Sequence, residues 1–306
     1  MIKKTIIYTI LILTIIIAGC TGGSNTKGQN QNVNYHSGTK GLELKFYNKA
    51  PPDKIYKGMP LDVMVEYSNK GAYNIQGGKI YLSGFDPRYV SFSPSYLENL
   101  VAEGKNVFNP DGKITTTQTF TDSSVGAGIP DSVDKIKQTI KATACYIYRT
   151  EASIDVCINP KTINSLTEDI CQVQTVSPSG GQGAPIAITK VEEEVYQNTI
   201  QFRIYFQNVG GGTVMKSNVI DHCDTMLNRM DANKLDVISV SFSDKGMRCD
   251  PQNPVNVDET GKGFIFCKYT GADLGQSAYK TTLKVELEYG YRTSIQKDVE
   301  IQRSPI

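Results

Sequence analysis

Few side chains in this 306-residue chain have the type and spacing to do chemistry. Asp221, His222, Cys223 and Asp224 stand in a row, a set that could ligate a metal or activate a thiol. The structural alternative makes Asp221 the cap of a short helix and Cys223 half of a disulfide, and it is preferred. The other of the two histidines, His36, falls in a polar N-terminal stretch, so histidine acid-base chemistry has little scope. Glu192, Glu193 and Glu194, with Asp258 and Glu259, offer oxygens for calcium, but no spaced Asp/Asn loop accompanies them, and a solvated turn is the better reading. Gly210, Gly211 and Gly212 have the composition of a phosphate cradle. No Lys-Ser/Thr follows at the required distance, so they read as a hairpin turn. Gly-x-Ser-x-Gly and His-Glu-x-x-His motifs are missing as well. The sequence therefore predicts no catalytic residues, no metal site and no cofactor. A surface hydrolase would require two carboxylates converging in a cleft.

Cysteine is the richer signal. There are seven: Cys20, Cys145, Cys157, Cys171, Cys223, Cys249 and Cys267. With Cys20 set aside, six remain, an even number that reads as up to three disulfides with fifteen conceivable pairings. One pair can be argued from spacing. A hairpin centred on Glu151 would place Cys145 across from Cys157. The alternative is that each finds its partner on another strand.

Cys20 belongs to the chain's address. Lys3 and Lys4 precede an apolar run over residues 5–19, which ends in Ile17, Ala18, Gly19 and Cys20. The run is short for a membrane span but fits a signal core. Its end resembles a lipoprotein signal box, with Cys20 as the lipidated residue. A plain anchor or cleaved secretion is the alternative, and every version exports the remainder. Residues 21–40 are polar and nearly free of aliphatics, as in a disordered tether. Lys plus Arg is 32 against 31 Asp plus Glu. That balance gives no basic patch and argues against nucleic acid as a partner.

The elements that must position these residues emerge from an internal repeat. Residues 61–71 match residues 200–210: Leu61, Val63, Val65, Tyr67, Asn69 and Gly71 align with Ile200, Phe202, Ile204, Phe206, Asn208 and Gly210. Residues 137–158 match 280–301 without a gap, through Tyr146, Tyr148, Arg149 and Thr150 against Tyr289, Tyr291, Arg292 and Thr293. Ser91, Phe92 and Ser93 are matched to Ser241, Phe242 and Ser243 as a shared middle strand. Alternation of apolar residues between turn signals predicts an all-β fold of two tandem immunoglobulin-like β-sandwich domains. The expected boundaries are 1–20 for the signal or anchor helix, 21–40 for the tether, 41–176 and 186–306 for the domains, and 177–185 for a Pro/Gly/Ser linker that lets them reorient. Asn-x-Gly is read as a turn in which both residues tolerate positive φ. Helical spacing predicts short helices over residues 93–109 and 221–232.

The alternating strand that ends in Asn-x-Gly resembles the immunoglobulin-like modules of archaeal and bacterial surface proteins, including the CARDB type. The resemblance implies a non-enzymatic protein held on the outer face of the cell membrane. Its partner would be an unidentified protein or envelope component, and its task binding, adhesion or envelope structure. Composition and resemblance together suggest an archaeal source. An accessory subunit of an envelope or secretion assembly is the alternative reading.

Overall fold

The computed structural model describes residues 34–160, 170–196, 198–225, 227–275 and 277–304. Cys20 and the signal or anchor segment lie outside them. Asn34–Ile306 forms one compact unit. The described residues are all-β apart from one 3-10 turn, as their alternating pattern demands. The first copy contributes β1 (Leu42–Phe46), β2 (Lys54–Tyr56), β3 (Leu61–Asn69), β4 (Ile75–Ser83), β5 (Tyr96–Ala102), β6 (Thr116–Asp122) and β7 (Lys135–Ile158). The second contributes β8 (Ile186–Tyr196), β9 (Thr199–Asn208), β10 (Thr213–Met215), β11 (Lys234–Phe242), β12 (Lys245–Gly246), β13 (Arg248–Asp250), β14 (Val255–Asn256), β15 (Lys262–Thr270) and β16 (Tyr279–Gln302). A 3-10 turn at Ser217–His222 lies between β10 and β11.

The described strands form three sheets. One has the order β1-β3-β6 and another the order β13-β15-β9-β8. The third belongs to both copies, with the order β12-β11-β16-β7-β4-β5, while β10 and β2 also pair with β16. Its centre is the antiparallel ladder of β7 and β16, each 24 residues long, paired from Tyr279 opposite Ile158 to Gln302 opposite Lys135. Ile147 lies opposite Gly290, which is also its counterpart 143 residues further on. A local two-fold axis therefore relates the copies at that pair.

Along β7 the even-numbered residues Ile140, Ala142, Ala144, Tyr146, Tyr148, Ala152, Ile154, Val156 and Ile158 are buried. Along β16 the odd-numbered Leu283, Val285, Leu287, Tyr289, Tyr291, Val299 and Ile301 are buried. Each strand thus turns one face to the core, and core residues of both copies merge into one hydrophobic cluster. The sheets meet in named contacts: Phe202 of β9 stands edge-on to Phe242 of β11, with ring centroids 6.2 Å apart.

Four local expectations need correction. The hairpin at Glu151 is absent, because β7 runs straight through it. The segment Tyr148, Arg149, Thr150, Glu151, Ala152 and Ser153 contains no Gly, Pro, Asn or Asp to break it. Cys145 and Cys157 consequently lie on one face of one strand, about 40 Å apart at the rise of an extended chain. The helix expected over residues 93–109 is β5 followed by a loop. An irregular register against β4 and a left-handed Asn99 (φ 55°) give β5 apolar spacing that mimics a helix. In place of the helix expected over residues 221–232, the described residues show the end of the 3-10 turn at His222 and turns at 223–224 and 229–231. Ser91, Phe92 and Ser93 lie outside the strands, whereas Ser241 and Phe242 end β11, so these segments are not equivalent.

The linker is also tied down. Gly183 N donates to Gly38 O, Ala72 N to Gly183 O, and Val209 N to Pro185 O. The side chain of buried Gln182 caps Ile188 by accepting from its N–H at 2.8 Å.

Candidate interaction surface

Each copy is locked by the same corner. Tyr148 Oη donates to Asn69 Oδ1 at 3.0 Å, and Tyr291 Oη donates to Asn208 Oδ1 at 2.9 Å. The same oxygens accept from Gly71 N and Gly210 N, while the amide groups donate to Tyr73 O and Gly212 O. Tyr146 Oη accepts from Leu42 N, and Tyr289 Oη from Ile186 N. Burial pushes all four phenols up, Tyr291 to about 12. They act as neutral hydrogen-bonding struts.

The closing glycines of the two Asn-x-Gly turns, Gly71 and Gly210, do not have positive φ. They are required because a Cβ on Gly71 would meet Tyr148 Oη and Gly183 O, and one on Gly210 would meet Tyr291 Oη. The Asn-x-Gly turn is therefore a close-approach device.

The six cysteines form three disulfides: Cys145–Cys223, Cys157–Cys171 and Cys249–Cys267, with Cα separations of 6.3, 5.8 and 4.0 Å. The expected Cys145–Cys157 pair is thus replaced by partners elsewhere in the chain. Cys249 and Cys267 are directly opposed in the β13–β15 ladder. Cys223 comes from an insertion between β10 and β11 and reaches across to β7 of the other copy. Three disulfides mark an oxidising, extracytoplasmic environment.

The ionisable candidates do not converge. Among the described residues no group of three metal-binding side chains exists. Asp221 pairs with Lys79 at 3.0 Å on the first copy, and Cys223 is in its disulfide. His36 N donates to Asn34 Oδ1, and His36 lines a polar depression of about 380 Å³ with Glu151, Ser153 and Gln182. Glu192 pairs with Lys190 and Arg203 and accepts from Tyr205 Oη; the Lys190 bond holds it below the usual carboxylate range. Glu193, its neighbour, is different. Its Oε1 is buried without a hydrogen bond among the described residues, and burial pushes it up to about 8. Asp258 Oδ1 accepts from the backbone of Thr260 and Lys262, closing a surface turn. Gly210, Gly211 and Gly212 form the second corner. Glu194 and Glu259 are exposed.

What the surface does present is apolar. Phe108 is 89% exposed, Tyr196 74%, Val107 65% and Ile114 51%. Phe108, Val107 and Ile114 share the loop between β5 and β6, and two asparagines hold it in shape. Asn106 Oδ1 accepts from the N–H groups of Phe108 and Asn109. Buried Asn109 accepts from Lys113 N at 2.8 Å and Ile114 N at 3.3 Å. The loop is strapped to the first corner: Lys105 N donates to Gly71 O, Gly104 N to Asn74 Oδ1, and Lys70 Nζ to Gly112 O. A loop with its backbone satisfied internally displays its side chains in a fixed arrangement. Sequence reasoning missed this site by running a helix through it. The stretch Asn106, Val107, Phe108, Asn109, Pro110, Asp111 and Gly112 carries the turn formers that mark a loop.

No family model matches the chain, and no curated protein matches it. Among solved structures, the CupB6 tip adhesin from Pseudomonas aeruginosa aligns over 87% of this chain and 97% of its own, at 10% identity and a TM-score of 0.17. Similarity that slight carries no argument about fold or function. No described helix is long and apolar enough to cross a membrane.

Proposed function

We propose that this chain is a non-enzymatic surface protein, tethered to the outer face of the membrane through Cys20, whose paired β-sandwiches present loops for binding or adhesion. The observation that carries the reading is the rigid, exposed loop with Val107 and Phe108 at its tip, built on a frame stiffened by three disulfides. Loops on a rigid scaffold are where binding residues concentrate. Asp221, Glu192 and Asp258 support the same reading, since they are spent on lysine pairs or a backbone cap. A second reading, an assembly subunit that adds a strand to a neighbour, draws on β8, the eleven-residue outer strand of its sheet.

Intact mass of the native, membrane-extracted protein, with and without reduction, tests the address. The expected result is a chain starting at lipid-modified Cys20 that gains six hydrogens on reduction. An unprocessed Met1 start with free thiols would remove the basis for a tethered extracytoplasmic protein.

A further inference from the structure

The exposed apolar loop lies where the N-terminal segment joins the fold. Lys105 Nζ donates to Ser37 O at 2.9 Å, and Gly38 is bonded to Gly180 and Gly183 beside it. Thirteen residues separate Cys20 from Asn34, a path of at most about 50 Å even when fully extended. A lipid on Cys20 would therefore hold this end of the sandwich close to the bilayer.

The loop also has the composition of an interfacial wedge. Its tip is Val107 and Phe108, with Ile114 alongside through the Asn109 side chain. Lys105 and Lys113 flank it, Lys70 clamps Gly112, and Lys40 stands at the start of β1. Three acids stand on this side, Glu43 paired with Lys40, Asp111 with Lys113 and Glu103 bonded to Asn106, so the four lysines leave an excess of one positive charge. Apolar side chains at a tip, ringed by long lysines whose stems follow apolar matter and whose ammonium groups meet lipid phosphates, suit a membrane interface.

We infer that the Val107–Phe108 loop docks into the interface of the membrane to which the chain is tethered, fixing the orientation of the double sandwich. The inference rests on the membrane-anchored reading. Anchor and loop then act as two weak signals, the first raising the local concentration for the second.

The protein contains no tryptophan, so a Phe108→Trp substitution places a single reporter at the tip of the full, lipidated chain. Tyr196→Trp, on the outer strand β8, places one elsewhere on the surface. Both are reconstituted with vesicles containing anionic phospholipid, with and without brominated acyl chains. The expected result is a blue-shifted emission at position 108 that loses most of its intensity to bromolipid, while the reporter at 196 keeps a water-exposed spectrum. Protein that floats with the vesicles but leaves position 108 water-exposed overturns the loop inference and spares the anchor. Protein that fails to float overturns both. A blue shift at 108 before lipid is added assigns the tip to a protein contact instead and also overturns the inference.

Discussion

The two copies share their corners and differ in what lies between them. In the first copy β4 is one strand from Ile75 to Ser83 and pairs with β7 over Lys79–Ser83. In the second, the equivalent path beside β16 is split into β10 and β11, and residues 216–233 leave the sheet between them. The insertion folds back over the two-fold pair. A Cβ on Gly290 would meet Lys216 O at 2.7 Å, whereas its counterpart is Ile147. From there the insertion reaches the first copy, through the Cys145–Cys223 disulfide, the bond from Tyr81 Oη to Asp221 O, and the Lys79–Asp221 pair. The matched arginines diverge accordingly. Arg149 pairs with Glu288 across the ladder, and Arg292 donates to Cys223 O. The β7–β16 ladder joins the two copies, and the unequal segment adds a second tie between them.

Disulfide removal is the largest way to break this comparison. The Cys145–Cys223 bond spans 78 residues and Cys249–Cys267 spans 18. Chain entropy then assigns about 4.5 kcal/mol to the first and about 3 kcal/mol to the second. Replacing each pair by serine and measuring urea midpoints should show the greater loss for Cys145 and Cys223. Equal losses, or the reverse order, would mean that the insertion does not clamp the copies.

The corners sharpen it next. Asn69 is fully buried and its amide serves Tyr73 O and Ala102 O, while half-buried Asn208 serves Gly212 O. Asn69→Ala should cost about 2–4 kcal/mol and Asn208→Ala about 1–2 kcal/mol, because unpaired buried groups carry the larger penalty. Matching losses would show that burial does not distinguish the two corners.

The smallest effect concerns a length difference. β1 stops at Phe46, but β8 continues to Tyr196 and so carries Glu193 inward without a counterpart in the first copy. Its carboxyl, normally near 4.5, is pushed up to about 8 in the folded chain. The protonated form therefore favours folding. That contribution is intact below pH 4.5 and lost as pH rises through about 8. Glu193→Gln should flatten the decline and add about 1–2 kcal/mol at pH 8, allowing for partial exposure. Parallel pH profiles for the two proteins would remove Glu193 as the cause.

Much of the frame was legible in the sequence because alternation and turn signals act locally. The matched Asn-x-Gly and Tyr-x-Tyr-Arg-Thr segments marked two copies of a β fold. That Asn69 would accept from Tyr148, and Asn208 from Tyr291, is a contact across 79 and 83 residues with no local signature. The straight course of β7 was misread because alternation is the same in a hairpin and in one long strand; the missing turn formers around Glu151 were the deciding clue. The exposed Phe108 was hidden by an apolar spacing that a bulged strand shares with a helix.

The central claim is that both copies, through β7 and β16, form one cooperative unit. Calorimetric unfolding of the disulfide-intact protein tests it most directly. A single endotherm whose calorimetric and van't Hoff enthalpies agree is the predicted result. Two separable endotherms, or a calorimetric enthalpy about twice the van't Hoff value, would show that the copies are independent domains and contradict the account.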